Sequence, residues 1–262
     1  MFWSSAQQVA KVALANNSLL PISTKPMVIE QNGIHFYLHV LNANLQRKIN
    51  HAKTSPNPFS PYNQDMYVGP AGDSHVCLLN KFPVLAPHLL ICSKPFIEQS
   101  SPLDITDFTA WLLGYDQSDI FGFYNGGRLA GASQPHRHMQ LVKTDIPLAP
   151  LILSSQLPFK HRLFVYDKLD AQALMADYLS GMNELGLYDS QQCQPYNLLL
   201  TNSWMLIIPR STNNLNGIFA NGINYSGHFL IKNQSQIDWL TEFGIIEYLS
   251  QCSIPKEAPS QR

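Results

Sequence analysis

The sequence predicts an α+β fold with a mostly antiparallel sheet flanked by helices. At 262 residues, 45% of them hydrophobic, the chain is long enough to bury a large core. Its strand-like runs come mostly as hairpins and its helix-like runs stand alone, without the regular alternation that builds a doubly wound parallel sheet.

The opening stretch MFWSSAQQVAKVALANNSLL reads as an amphipathic helix. Gln7, Gln8 and Lys11 interrupt its apolar residues, and it lacks the basic start and unbroken apolar run of a signal peptide or membrane span. Gly33–Leu41 (GIHFYLHVL), His75–Asn80 (HVCLLN) and His88–Ser93 (HLLICS) are rich in apolar, aromatic and β-branched residues between turn-formers, which suits strands. Lys53–Ser74 is too dense in Pro, Asn, Ser and Gly for either regular element, so a long loop is expected there. Long loops in compact domains are often functional.

After SSPLD, the residues Ile105, Phe108, Trp111 and Leu112 recur at helical spacing, with Ser101 or Asp104 as the cap. Asp119–Gly127 (DIFGFYNGG) reads as a strand ending in a turn, and His136–Val142 (HRHMQLV) as its hairpin partner. A second internal helix follows from Ala171, Leu174, Tyr178, Met182 and Leu185, then two strands within Asn197–Arg210 joined at Asn202 and Ser203. Gln236–Gln251 closes the pattern as a last amphipathic helix, with Ile254–Arg262 a frayed tail. Residues 143–158 form the best boundary, dividing the chain into parts 1–150 and 151–262 of what is expected to be one compact domain.

Net charge is −1 and only 13% of residues are charged, so a nucleic-acid or membrane-surface partner held by bulk charge is excluded, and any anionic partner must be held locally. The four cysteines, Cys77, Cys92, Cys193 and Cys252, form no CxxC pair and read as buried reduced thiols, so a cytoplasmic location is expected.

One stretch concentrates chemistry: NGGRLAGASQPHRHMQLV, Asn125–Val142. On an extended chain His136, His138 and Gln140 share one face, and Arg137, Met139 and Leu141 the other. Three readings follow. Two histidines at i and i+2 can chelate a metal, but they need further ligands and Gln140 is a poor one. They can hold a sheet together by hydrogen bonds. Or a neutral imidazole can attack phosphorus, provided its other ring nitrogen is held and donors meet the charged oxygens. GGRLAGASQ supplies such donors: open backbone N–H groups, the Ser133 hydroxyl, and the amides of Asn125, Gln134 and Gln140.

The run YNGGRLAGASQPHRHMQLV closely resembles the active-site segment of the ATP adenylyltransferases, or diadenosine tetraphosphate phosphorylases, of the histidine triad superfamily. NPFSPY (Asn57–Tyr62), LLNKFPVLAPHLLICSKPFIEQ (Leu78–Gln99) and YNLLLTNSWMLIIPRS (Tyr196–Ser211) resemble further blocks of that family in the same order, so the likeness spans most of the chain. The histidine-x-histidine-x-glutamine triplet is shared with galactose-1-phosphate uridylyltransferases; the flanking GASQ and the C-terminal WMLIIPRS make the choice.

The resemblance implies a histidine-triad-like fold in which His138 takes an adenylyl group from the α-phosphate and His136 orients or buffers the neighbouring ring. Gln140 stands where the hydrolytic branch has a histidine; an amide donates hydrogen bonds but cannot shuttle a proton, which suits transfer between polyphosphates. Asn80 falls where the superfamily binds ribose hydroxyls. Ser133 and Gln134 resemble phosphate ligands, Asn125 would hold an oxygen near the reacting phosphorus, and His88 matches a histidine beside the catalytic strand. Lys53, the single lysine just ahead of NPF, would serve the distal phosphates, and Arg210 is a candidate to reach a phosphate from the C-terminal half.

The implied substrates are diadenosine tetraphosphate, ATP, ADP, AMP and phosphate, handled by a monomer. The implied ion is Mg2+ carried on the polyphosphate rather than in a protein cage. A dinucleoside polyphosphate hydrolase, a sugar-1-phosphate uridylyltransferase using the same histidine, and a non-catalytic nucleotide sensor stand as alternatives.

Overall fold

The computed structural model describes residues 2–42, 57–188 and 192–256. In chain order the elements are α1 (Phe2–Ala15), β1 (Thr24–Gln31), β2 (Ile34–Leu41), β3 (Tyr67–Ala71), β4 (His75–Leu79), β5 (His88–Ser93), α2 (Ile105–Leu112), β6 (Ile120–Gly126) and β7 (His138–Lys143). There follow α3 (Ala149–Leu153), β8 (Arg162–Val165), α4 (Ala171–Glu184), β9 (Tyr196–Leu200), β10 (Trp204–Pro209), β11 (Asn214–Leu215), β12 (Ile218–Phe219), β13 (His228–Ile231), α5 (Gln234–Phe243) and α6 (Ile245–Gln251). No helix among the described residues is long and apolar enough to cross a membrane.

Eight strands form one sheet in the order β3-β4-β5-β7-β6-β9-β10-β8, and every pairing in it is antiparallel. Because β9 bonds to β6, strands from before and after residue 150 share this sheet. Alternation along each strand splits its side chains between two cores. Met139 and Leu141 of β7, Tyr124 of β6, Leu198 and Leu200 of β9, and Met205 and Ile207 of β10 face α1, α2 and α4 with Trp3, Trp111 and Tyr178. Phe121 and Phe123 of β6, Leu199 of β9, and Leu206 and Ile208 of β10 face the other way, onto a three-stranded sheet β1-β2-β13 and the helices α5 and α6. Over β4 and β5 that second face carries only a small cluster, in which Phe59 meets Val76, Leu78, Leu90 and Cys92. The covering layer is therefore thin above β5 and β7, and a cavity opens there.

Three expectations are corrected. The loop foreseen over Lys53–Ser74 contains β3, whose Gly69 and Pro70 are tolerated because β3 is an edge strand paired on one side only. Residues 43–56, the start of that loop included, lie outside the described residues. The last helix is two helices, broken at Gly244, whose φ of +94° no helical residue adopts. The strand expected from His136 begins at His138, and His136 makes only an isolated bridge to Glu98.

Several elements give weak signals in the sequence. β1 carries Lys25 and Pro26 and is an edge strand. β8 and β13 have four residues each, and α3 has five. Asp104, rather than Ser101, caps α2, in a capping box with Asp107. All four cysteines are free and buried.

Candidate active site

The cavity above β5 and β7 has a volume of about 640 Å³. His138, Gln140 and His88 line it, with Asn80, Asn125, Ser133 and Gln134. The expected face is realised for His138 and Gln140, whereas His136 precedes β7 and stays outside the lining. Phe59 lies against both histidines, at ring-centroid distances of 5.7 and 5.1 Å. Arg137 points to the opposite side, into a buried ion pair with Asp107 at 2.7 Å.

Backbone geometry fixes the tautomer of His138. Its Nδ1 is 2.8 Å from the carbonyl oxygen of His136, an acceptor only, so Nδ1 carries the hydrogen and Nε2 keeps its lone pair. The ring is only 4% exposed. Burial drives its pKa down to about 4 and the nearby His136 adds to that, against the bond to the His136 carbonyl. At neutral pH the group in the cavity is an uncharged imidazole. The buried amide of Gln99 grips the same residue, accepting from His138 N at 2.8 Å and donating to His138 O at 3.2 Å and to Asn125 O at 3.0 Å. It bridges β6 and β7 where they part.

His136 does not line the cavity. Its Nε2 donates to Ser93 O at 2.8 Å, and Asn57 Nδ2 approaches its Nδ1 at 3.0 Å. With both nitrogens engaged, it orients the carbonyl that holds His138.

A second chain of bonds orients Gln140. Phe82 N donates to Asn80 Oδ1 at 3.0 Å, so Asn80 Nδ2 is the end that donates to His88 Nδ1, at 3.1 Å. His88 must then carry its hydrogen on Nε2, which donates to Gln140 Oε1 at 3.1 Å. Gln140 is left with its NH2 for the cavity. Burial again lowers His88 to about 4, against the pull of the Gln140 bond, with His138 adding to the depression. Asn80 lines the cavity while both ends of its amide are engaged.

Asn125 is also held by its oxygen, which accepts from Asn197 Nδ2 and Gly222 N, each at 2.9 Å. The loop between β6 and β7 makes one 3₁₀ turn at Arg128–Ala130 and then Gly131, at φ +94°, where a Cβ would lie 2.5 Å from the Asn221 side chain. Only glycine lets this loop pass so close to the segment that carries Gly222.

Two expectations take a different course. Lys53 lies outside the described residues. Arg210 does not line the cavity: it is buried, with all its N–H groups turned to protein oxygens. The cations that do line the cavity among the described residues are Lys81 and Lys232.

The histidines also make stability depend on pH. In the unfolded chain they protonate near 6.5, whereas His138 and His228 do so only at about 4 in the fold, both through burial. Between those values the unfolded chain binds more protons, so stability falls as pH drops from about 6.5 towards about 4, by up to ~1.4 kcal/mol per pH unit for each histidine. Urea denaturation at pH 7 and pH 5 checks this, and a stability that is flat or rises on acidification contradicts it.

Comparison with known proteins gives a consistent result. The family model of the Ap4A phosphorylase N-terminal domain matches residues 1–164, and that of the ATP adenylyltransferase C-terminal domain matches residues 155–255. Diadenosine 5',5'''-P1,P4-tetraphosphate phosphorylase 2 of Saccharomyces cerevisiae is 27% identical over 227 residues, 69% of this chain and 70% of that protein. Protein APA1 of the same yeast is 25% identical over 228 residues, 71% of each. Among solved structures, the yeast Ap4A phosphorylase Apa2 in complex with Ap4A superposes with a TM-score of 0.82 at 24% identity, covering 98% of both chains. Apa2 in complex with AMP gives 0.81 at 22% identity, again over 98% of both.

Proposed function

The chain belongs to the Ap4A phosphorylase family, whose N- and C-terminal domain models together span residues 1–255, and from that premise we propose how its residues carry out adenylyl transfer. The enzyme is a nucleotidyltransferase that phosphorolyses diadenosine tetraphosphate to ATP and ADP. The lone pair of His138 Nε2 attacks the α-phosphorus, and the bond from phosphorus to the bridging oxygen breaks. ATP leaves with that oxygen and its electron pair. The ring keeps its Nδ1 hydrogen, and the positive charge that develops on it is met by the His136 carbonyl at 2.8 Å. An oxygen of inorganic phosphate then attacks the same phosphorus, the P–N bond breaks, and ADP is released with the imidazole neutral again. Run backwards, the sequence makes the dinucleotide from ATP and ADP.

The observation that carries this course is the fixed tautomer of His138, which leaves an unprotonated nitrogen facing a cavity edged with amide donors. The free NH2 groups of Gln140 and Asn125 suit the non-bridging oxygens, and Ser133 and Gln134 suit the phosphates beyond. Gln140 cannot hand a proton to water or to a leaving group, and an ATP leaving group, with a terminal phosphate pKa of about 6, needs none. Asn80, whose amide keeps one N–H and one lone pair beyond its bonds to His88 and Phe82, serves the ribose, and Lys81 and Lys232 the distal phosphates.

No carboxylate lines the cavity among the described residues, and these contain no cluster of three or more His, Cys, Asp or Glu side chains suited to a metal. The lining therefore does not fit a resident magnesium. We place Mg2+ on the incoming polyphosphate, where it offsets charge. We propose that the chain acts as a monomer, and the buried thiols suit a cytoplasmic location.

The test is turnover of diadenosine tetraphosphate with and without inorganic phosphate. Formation of ATP and ADP that requires phosphate is the expected result. AMP formed in water alone points instead to a hydrolase, exchange with a UDP-sugar to a uridylyltransferase, and tight binding without turnover to a sensor.

A further inference from the structure

We propose that Asn197 and Arg210 are positioning residues for the transfer step, acting through Asn125; the inference rests on the adenylyl-transfer reading above. Asn125 matters to that step only if its NH2, rather than its oxygen, meets the phosphate. An amide has no intrinsic preference between its two ends, so something must choose.

The choice is made by a relay running inward from the cavity. Asn125 Oδ1 receives two donors, Asn197 Nδ2 and Gly222 N, each at 2.9 Å. If the amide were flipped, its NH2 would face two N–H donors and no acceptor. Asn197 is in turn forced to donate. Its Nδ2 lies 2.9 Å from the carbonyl of Ala130, and its Oδ1 accepts from Arg210 Nη1. Arg210 has no acceptor atom and cannot be reversed. The rest of its guanidinium is locked: Nε donates to Cys252 O at 2.8 Å and Nη2 to Thr212 O at 2.7 Å.

The direction of every bond from Arg210 through Asn197 to Asn125 is thus set by a fixed cation, and the relay ends in an NH2 donor in the cavity. Its members are buried: Asn197 and Arg210 are 0% and 3% exposed, and Asn125 2%. An amide enclosed in an apolar strand such as YNLLL costs stability unless its hydrogen bonds are made. Here those bonds also aim a donor.

Asn197→Asp tests this because it exchanges one NH2 for oxygen at nearly constant shape. The carboxylate keeps its bond to Arg210 but sets an acceptor against Asn125 Oδ1. That oxygen is then repelled on one side and held only by Gly222 N on the other, and the amide loses its fixed orientation towards the phosphate. We would measure single-turnover formation of the adenylyl adduct in wild type, N125A, N197D and the double variant, with the thermal midpoint of each. N125A and N197D should each slow adduct formation by about 100-fold, the scale for loss of one transition-state donor. The double variant should be no slower than N125A, while N197D still lowers the midpoint in the N125A background, through its contacts with Ala130 and Arg210 that do not involve Asn125.

An equal slowing by N197D in the N125A background overturns the proposal, because it shows a field or stability effect that bypasses Asn125. An unchanged rate in N197D alone overturns it too. Should N197D not fold, N197S is put through the same cycle, with slowing expected only where Asn125 is present. If wild type forms no adduct at all, it is the transfer reading that fails, not the relay.

Discussion

Replacing His138 with alanine is expected to abolish both the adenylyl adduct and phosphorolysis while leaving the fold intact. The ring is the only group in the cavity that presents a nitrogen lone pair whose second nitrogen is held by a carbonyl, at 2.8 Å, among the described residues. Water or phosphate would then have to displace ATP directly. The loss should approach the order of 10⁶ in rate that removal of a covalent nucleophile can cost. Stability should change little, by about 1 kcal/mol, the worth of one hydrogen bond. Intact-protein mass spectrometry after mixing with diadenosine tetraphosphate gives the adduct, and coupled detection of ATP gives the turnover. An alanine variant that still acquires an adenylyl group would move the nucleophile elsewhere, and one that still phosphorolyses would remove the intermediate altogether.

The second large effect lies on the reverse side of the same strand. Asp107 is expected to be the most costly acidic side chain to remove. Its two oxygens meet Arg137 Nη1 at 2.7 Å and His75 Nε2 at 2.9 Å, and all three side chains are 1–2% exposed. Asp107→Ala leaves the Arg137 charge buried, with only the half-exposed Asp104 at 3.8 Å. Breaking one side of a buried pair costs about 3–5 kcal/mol, and the variant also loses the bond from Asp104 N that closes the cap of α2. The double variant Asp107→Leu, Arg137→Met should be more stable than Asp107→Ala, because no unpaired charge remains. Urea denaturation of the three proteins decides it; a double variant no better than the single would show that the penalty is packing rather than charge. Because Arg137 sits between His136 and His138, Asp107→Ala should also lower activity.

Much of the site could be read from the chain because a strand has period two. His138 and Gln140 had to share a face, and a bare, glycine-bearing turn ahead of them had to be a place for something to approach closely. But His136, which the same period puts beside them, lies before the strand and outside the cavity lining. The tautomer could not be read, since it depends on which oxygen lies 2.8 Å from Nδ1. The partners that orient the site were missed for the same reason. Gln99 reaches His138 across 39 positions, Asn57 reaches His136 across 79, and Asn197 reaches Asn125 across 72. A signal for Asn197 existed, a lone amide within an apolar strand, but it says only that a partner exists. Arg210 shows the limit most clearly. In sequence it is a positive charge at a strand end, suited to a phosphate; in the fold its donors are spent on protein oxygens, and its influence on phosphate would be indirect.

The pairing of β9 with β6 bears on how the molecule is made. A chain leaving the ribosome has both histidines and the glycine-bearing loop by Gln140, yet β6 has no neighbour on its far side until Tyr196–Leu200 emerges, and Asn125 has no support until Asn197 and then Gly222 follow. Through that interval an apolar strand edge stands open, the kind of edge that invites pairing with another chain. A nascent or truncated polypeptide ending before β9 would carry every residue of the triplet and still be inert. Competence arrives late in synthesis, and the edge of β6 stays open from Gly126 until Tyr196 has emerged.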